Sequence, residues 1–191
     1  MANLERLMTE KRNTKTMNLD EMSPYEIITI MNKEDQKVLD AVHDALPQIG
    51  RAIEWTTESL QKDGRIIYIG AGTSGRLGIL DAVECPPTFG VSYDMVVGVI
   101  AGGEGAFVKA EEGAEDDPEL GREDLKRIHL SADDVVIGLA ASGRTPYVLG
   151  ALQYAKEVGC RTVAISCNTN TKISEKADCA IELLTGPEIL T

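Results

Sequence analysis

Short apolar runs alternate with helical patterns over the last two thirds of the chain. The runs predict five strands, at residues 65–70, 95–100, 134–140, 161–167 and 178–183. The segments that follow them predict helices near residues 75–84, 104–112, 118–128, 145–158 and 170–176. Apolar runs that are continuous, not alternating, are typical of strands covered on both faces. Regular strand–helix alternation therefore predicts the α/β class, a doubly wound, five-stranded, flavodoxin-like parallel sheet.

The first 61 residues have a different pattern. Residues 1–22 carry mixed charge without a clear period and predict an extended arm. Ser23 followed by proline predicts a helix start, and helical patterning continues to about Gln61, with breaks expected near Asn32 and at Pro47. The apolar stripe of these helices is typical of a core or a subunit contact. We therefore predict an arm with helices over residues 1–61 and a ligand-binding domain over residues 62–191.

Composition limits the partners of this chain. Its 191 residues have a formal net charge of −12, which disfavours binding to nucleic acid or to an anionic membrane. The four cysteines form no Cys-x-x-Cys pair and have no metal-ligand spacing to the two histidines, so no metal site is predicted. With no signal-peptide core and no long apolar run, the sequence indicates a reduced, cytoplasmic protein.

The tripeptide Ser-Gly-Arg occurs twice, at residues 74–76 and 142–144, each time between an apolar run and a predicted helix. Backbone N–H groups at the start of a helix favour anions. In a flavodoxin-like strand order, the first and third strands are neighbours at the switch point where ligands bind. The two loops therefore predict a sugar-phosphate site formed by Gly72, Thr73, Ser74, Gly75, Arg76, Ser142, Gly143, Arg144 and Thr145.

Other interpretations of the glycine loops stay open at this point. Residues 70–75 satisfy G-x-G-x-x-G, but no acidic residue ends the second strand, as a dinucleotide site would require. A Walker A motif fails because Arg76 stands where it needs Lys. Both loops could also be simple strand-to-helix turns. Arg76 and Arg144 could bind phosphate, cap a neighbouring helix or pair with surface acids.

The chain resembles the sugar isomerase domain family, and within it the N-acetylmuramic acid 6-phosphate etherases. The domain-level resemblance rests on the two Ser-Gly-Arg loops. The closer resemblance, to the etherases, rests on four further segments, at residues 9–13, 80–89, 110–117 and 186–191. It covers essentially the whole chain. Family members continue beyond the equivalent of residue 191, so the resemblance implies a chain truncated at its C-terminal end.

The resemblance implies a lyase that cleaves the D-lactyl ether of N-acetylmuramic acid 6-phosphate, in cytoplasmic recycling of cell-wall amino sugars. Elimination of lactate followed by addition of water would give N-acetylglucosamine 6-phosphate and D-lactate. Glu84 and Glu115 match the two catalytic glutamates: Glu84 would protonate the departing lactate, and Glu115 would remove the proton on carbon 2. That division requires a protonated Glu84 and an ionised Glu115.

The resemblance also implies no metal and no cofactor, and a homodimer with its site near the subunit boundary. Three alternatives remain. One is a non-catalytic sugar-phosphate-binding module like the glucokinase regulatory protein. The others are an aldose–ketose isomerase and a nicotinamide-dependent dehydrogenase.

Overall fold

The computed structural model describes residues 7–109 and 111–190. The first six residues of the predicted arm, Ala110 of the predicted 104–112 helix and Thr191 of the last resemblance segment lie outside this part. The described chain forms six α-helices: α1 (Pro24–Asp44), α2 (Leu46–Leu60), α3 (Gly72–Phe89), α4 (Pro118–Arg127), α5 (Pro146–Val158) and α6 (Lys172–Lys176). It forms five strands: β1 (Ile66–Gly70), β2 (Val96–Ile100), β3 (Val135–Leu139), β4 (Arg161–Ser166) and β5 (Cys179–Glu182).

The five strands form one parallel sheet in the order β2-β1-β3-β4-β5. This confirms the predicted fold class, and each strand lies within about one residue of its predicted bounds. The chain moves outward from β1 to β2 and, after β3, outward in the opposite direction. The switch point of the fold is therefore between β1 and β3, where ligands bind in such sheets.

Helices cover both faces of the sheet, which explains why its strands are continuous apolar runs. On one face, α4, α5 and α6 pack over the side chains of Ile67, Val136 and Ala164. On the other face, Ala52 of α2 packs with Ile137. The helix α3 packs on that second face as well, where its glycines leave no room for a side chain against β1 and β2. The closely packed α3 thus holds the first glycine loop firmly on the sheet.

The N-terminal helices begin as predicted. Ser23 caps α1 with a full capping box, in which its hydroxyl accepts from the N–H of Glu26 and the Glu26 carboxylate accepts from the N–H of Ser23. The arm before it contains two short 3-10 turns, Met8–Glu10 and Leu19–Glu21, and is not simply extended. None of the helices in the described part of the chain is both long and apolar enough to span a membrane.

Two predicted features of the helical pattern were wrong. No break occurs near Asn32: α1 runs on to Asp44, and the interruption lies at Ala45. An exposed asparagine lowers helix propensity only slightly, whereas Pro47 sits in the first turn of α2, where its missing N–H costs no hydrogen bond. The predicted helix at 104–112 is replaced by one 3-10 turn, Glu104–Phe107, and a second turn, Ala114–Asp116, follows beyond that range. Glycines with positive φ precede each of them.

The predicted end of the third helix was also wrong. The helix α3 does not stop at Glu84 but continues through Pro86 and Pro87 to Phe89. Each proline removes one i→i−4 hydrogen bond from the last turns of α3, which weakens the helix there without ending it. Gly90 then ends the helix in a left-handed conformation, and its N–H donates to the carbonyl of Pro86 at 2.8 Å. Glu84 therefore lies within a continuous helix and not at its end.

Candidate functional site

The register of the two central strands places the two glycine loops side by side. Ile66 pairs with Val135 and Gly70 with Leu139, so the loops begin at the same level, about 4.8 Å apart. A buried ion pair at the opposite end of these strands supports the register. The Asp134 carboxylate accepts from the backbone N–H of Arg65 at 2.9 Å and from its guanidinium at 2.7 Å. The first loop (residues 70–76) and the second loop (residues 141–145) therefore form one surface.

Helices α3 and α5 begin at these two loops without side-chain caps. The residues that precede them, Ala71 and Thr145, make no side-chain cap hydrogen bond. By contrast, Ser23, Asp117 and Thr171 cap α1, α4 and α6. Because a helix leaves its first N–H groups without intrahelical partners, the start of α3 presents donors. The start of α5 presents them only after Pro146, which has no N–H. Both starts place the positive end of a helix dipole at the switch point.

The first loop turns directly into α3. Its predicted site residues Gly72, Thr73, Ser74 and Gly75 already form the first turn of that helix. A side chain at Gly75 would lie 2.6 Å from the carbonyl oxygen of Gly70, so this position requires glycine for close packing of helix on strand. Thr73 is exposed and Ser74 is half-buried, which leaves both hydroxyls accessible at the surface.

Arg76 supports a neighbouring turn. Its Nε donates to the carbonyl of Phe107 at 2.8 Å, and its Nη2 donates to the carbonyl of Ala106 at 2.9 Å. Two of its three nitrogens thus cap the Glu104–Phe107 turn, which was one of the roles that the sequence left open. This contact fixes the segment that follows β2 against the start of α3.

Glu115 lies beside the first loop. A cavity of about 320 Å³ is lined by Ala71, Gly72, Ala101, Ala106, Glu111, Glu112, Gly113 and Glu115. Glu115 belongs to the Ala114–Asp116 turn, and its side chain is exposed. The structure therefore brings one predicted catalytic carboxylate to the N-terminal end of α3.

The second loop is held from one side by the segment that follows β4. The N–H of Cys167 donates to the carbonyl of Ala141 at 2.8 Å, and the N–H of Ile173 donates to the carbonyl of Gly143 at 3.1 Å. Ser142 accepts from the N–H of Arg144 at 3.4 Å. Ser142, Arg144 and Thr145 are half-buried. Within the described residues, the buried Nη1 of Arg144 has no hydrogen-bond partner.

Gly143 is a position that requires glycine. Its φ is +70°, and a Cβ atom there would lie 2.2 Å from the Cβ of Thr171. We expect Gly143→Ala to lower the free energy of unfolding by about 3 kcal/mol, because left-handed strain and a steric clash act together. Urea unfolding followed by circular dichroism would measure this loss.

Gly72→Ala is the matched control for that substitution. Gly72 also has a positive φ, +54°, but a Cβ added there would have no neighbouring atom within 4 Å among the described residues, so we expect only the conformational cost of about 1 kcal/mol. Equal losses in the two variants would contradict the role assigned to the Thr171 contact.

Glu84 lies far from the cavity within one chain. It is exposed on α3, twelve residues after Gly72, which corresponds to about 18 Å along the helix axis. On the same side of α3, three apolar side chains are exposed: Leu77 (59%), Leu80 (50%) and Val83 (48%). A single chain therefore does not bring Glu84 and Glu115 together, and Glu84 lies next to an uncovered apolar surface.

Several residues at the site were not singled out from the sequence. Glu111 and Glu112 line the cavity with Glu115, but the sequence shows them only as members of an acidic cluster. Asn168 contacts the second loop through the carbonyl of Ala141. Its only sequence signal is its place shortly after a strand at the carboxyl edge of the sheet, where polar residues often serve a ligand site.

The chain is similar to proteins of known families. Residues 48–156 match the family model of the glucokinase regulatory protein N-terminal SIS domain. The chain is 59% identical over 189 residues to a curated N-acetylmuramic acid 6-phosphate etherase of Pectobacterium atrosepticum, covering 99% of this chain and 62% of that protein. The chain thus spans somewhat less than two thirds of the length of the curated relative.

Solved structures share the fold at low sequence identity. A phosphoheptose isomerase from Neisseria gonorrhoeae superposes with a TM-score of 0.64 at 16% identity, over 83% of this chain and 84% of that one. The Vibrio vulnificus NanR protein, complexed with ManNAc-6P, superposes with a TM-score of 0.54 at 14% identity, over 85% of this chain and 54% of that one. At these identities the likeness concerns the fold alone.

Proposed function

Because this chain belongs to the family of the glucokinase regulatory protein N-terminal SIS domain, we propose that its two glycine loops bind a sugar phosphate. We further propose that it cleaves the lactyl ether of N-acetylmuramic acid 6-phosphate as a carbon–oxygen lyase. The observation that carries the proposal is the juxtaposition of Glu115 with the uncapped start of α3 in one cavity. The 59% identity to a curated etherase supports the choice of substrate.

The phosphate group is assigned to the two uncapped helix starts. Neither helix start has a side-chain cap, and the helix dipoles favour an anion there. Arg144 contributes a buried guanidinium N–H without a partner among the described residues. Such a donor is costly to leave unpaired, and a phosphate oxygen is a suitable acceptor. The hydroxyls of Ser74 and Ser142 complete this polar surface.

Glu115 is assigned as the base. Opening of the sugar ring would expose an aldehyde that acidifies the proton on carbon 2. Glu115 would accept this proton, the lactate oxygen would leave carbon 3 with its bonding electrons, and water would then add to the unsaturated aldehyde. An exposed carboxylate beside the bound sugar suits a base, which must be ionised before the first step.

Glu84 is assigned as the acid, supplied by a second copy of the chain. The exposed stripe of Leu77, Leu80 and Val83 lies beside Glu84, and apolar surface of this kind is buried when helices pack together. A symmetric homodimer that covers the stripe would place Glu84 in an apolar contact near the partner's cavity. In this arrangement Glu84 would donate its proton to the departing lactate oxygen.

The remaining assignments follow from this proposal. Residues 1–61 form the arm and helices, and residues 62–191 form the sugar-phosphate-binding domain. The four cysteines are free thiols, which suits a reducing cytoplasm. The reaction belongs to the recycling of cell-wall amino sugars and uses no cofactor in this proposal.

Lactate release tests the proposal. The chain is incubated with N-acetylmuramic acid 6-phosphate, and D-lactate is measured with a coupled dehydrogenase, with the Pectobacterium atrosepticum relative as positive control. We expect D-lactate and N-acetylglucosamine 6-phosphate in equal amounts. Absence of both lactate and sugar-phosphate binding would refute the proposal.

A sugar-phosphate-binding module is the second candidate. It is favoured by the exposure of Glu84 and its distance from the cavity within one chain. The fold is also shared with NanR, a protein complexed with a sugar phosphate. Calorimetric binding of N-acetylmuramic acid 6-phosphate without release of lactate would support this candidate over the lyase.

A further inference from the structure

We infer that Asn168 is a positioning residue that couples the N-terminal arm to the second glycine loop and thereby orients a phosphate-binding N–H group. This inference rests on the proposed binding of a sugar phosphate at that loop. Asn168 follows β4 and is only 2% exposed. Its position brings together three parts of the chain that are distant in sequence.

Each polar atom of the Asn168 side chain has a partner. Its Nδ2 donates to the carbonyl of Ala141 at 3.2 Å and to the hydroxyl of Thr9 at 3.2 Å. Its Oδ1 accepts from the N–H of Met8 at 2.6 Å. A buried amide with such partners is held in a single orientation, because any rotation leaves a donor or acceptor unpaired. The arm thus fixes the amide, and the amide holds the loop.

The bond to Ala141 determines the direction of the next N–H group. A peptide unit is planar and trans, so the carbonyl of Ala141 and the N–H of Ser142 point in opposite directions. Asn168 and the N–H of Cys167 hold that carbonyl toward the segment after β4. The N–H of Ser142 is therefore directed away from this segment, and the loop keeps a donor for a ligand oxygen.

The arm has a second anchor that does not contact either glycine loop. The Glu34 carboxylate on α1 is buried and accepts from Lys15 at 2.7 Å, from Asn13 at 3.2 Å and from Lys37. The hydrogen bonds of Lys15 and Lys37 lower the pKa of Glu34 to about 2. Weakening this anchor loosens the arm without removing a contact of Asn168. A substitution of Glu34 is therefore a matched control for substitutions of Asn168 and Thr9.

Binding affinity and stability are measured together. Calorimetric titration gives the Kd for N-acetylglucosamine 6-phosphate, and thermal unfolding gives Tm. Thr9→Val removes the hydroxyl acceptor but keeps the shape, and we expect Kd to rise about tenfold. Thr9→Ser restores the hydroxyl and should restore Kd. Asn168→Asp keeps the acceptor for Met8 but loses both donors, so we expect at least the same rise in Kd.

Glu34→Gln separates positioning from general stability. We expect this variant to lower Tm and leave Kd within about twofold of wild type, a difference well below one hydrogen bond. The inference is wrong if wild type binds and both Thr9→Val and Asn168→Asp keep the wild-type Kd. It is also wrong if Glu34→Gln raises Kd as much as Thr9→Val does. If Asn168→Asp does not fold, the Thr9 pair decides. Failure of the wild type to bind would instead overturn the proposed function.

Discussion

Glu115→Gln is expected to abolish both exchange of the carbon 2 proton and release of lactate. The substitution keeps the size and hydrogen-bonding shape of the side chain but removes its ability to accept a proton. Loss of a positioned base typically costs about a hundredfold to ten-thousandfold in rate. Incubation in deuterium oxide, followed by proton NMR of the carbon 2 signal, measures the exchange directly. The cavity should persist, because its wall is formed mainly by backbone and small side chains.

Glu84→Gln is the matched control for this experiment. If Glu84 is the acid, its loss stops the departure of lactate but leaves proton removal at carbon 2 intact. We therefore expect exchange without lactate in Glu84→Gln, and neither in Glu115→Gln. Exchange at the wild-type rate in Glu115→Gln would show that another carboxylate is the base. Glu111 and Glu112 line the same cavity and would be the next candidates.

The sheet could be predicted from the sequence because both of its faces are covered. Strands such as β1 and β3 are continuous runs rich in β-branched apolar residues and are followed by glycine or other small residues. Their order cannot be read directly from the sequence, but the sheet has the flavodoxin-like order, which brings the two Ser-Gly-Arg loops together. The glycine loops lie between a strand and a helix, as the sequence predicts, since a strand followed at once by a helix leaves few conformations for the residues between them.

The rest of the site depends on contacts between residues that are distant in sequence. The roles of Arg76 and Asn168 are set by the carbonyls of Ala106 and Ala141, and no local pattern reveals which carbonyl a side chain meets. The segment 104–112, which precedes Glu115, was wrongly predicted as a helix because glycines with positive φ beside it outweigh the helical pattern. The end of α3 was misjudged because two prolines were read as a stop.

The length of α3 bears on how many chains contribute residues to one site. Glu84 lies about 18 Å along the helix from Gly72, so the two assigned glutamates cannot meet in one chain at the start of α3. In a two-fold symmetric dimer, the same surfaces of both copies meet, and each copy contributes to both sites. Glu84 of one copy would then act with Glu115 of the other.

Mixed dimers test this arrangement. Glu84→Gln and Glu115→Gln are each expected to release no lactate alone, but mixing them during refolding should restore about a quarter of the wild-type rate. Half of randomly assembled dimers are mixed, and each mixed dimer carries one site with both glutamates and one with neither. Sedimentation velocity confirms that the refolded material is dimeric, and native mass spectrometry with one variant carrying a tag measures the fraction of mixed dimers. An inactive mixture of the two variants, in material that is dimeric and does exchange, would mean that both glutamates of one site come from the same chain.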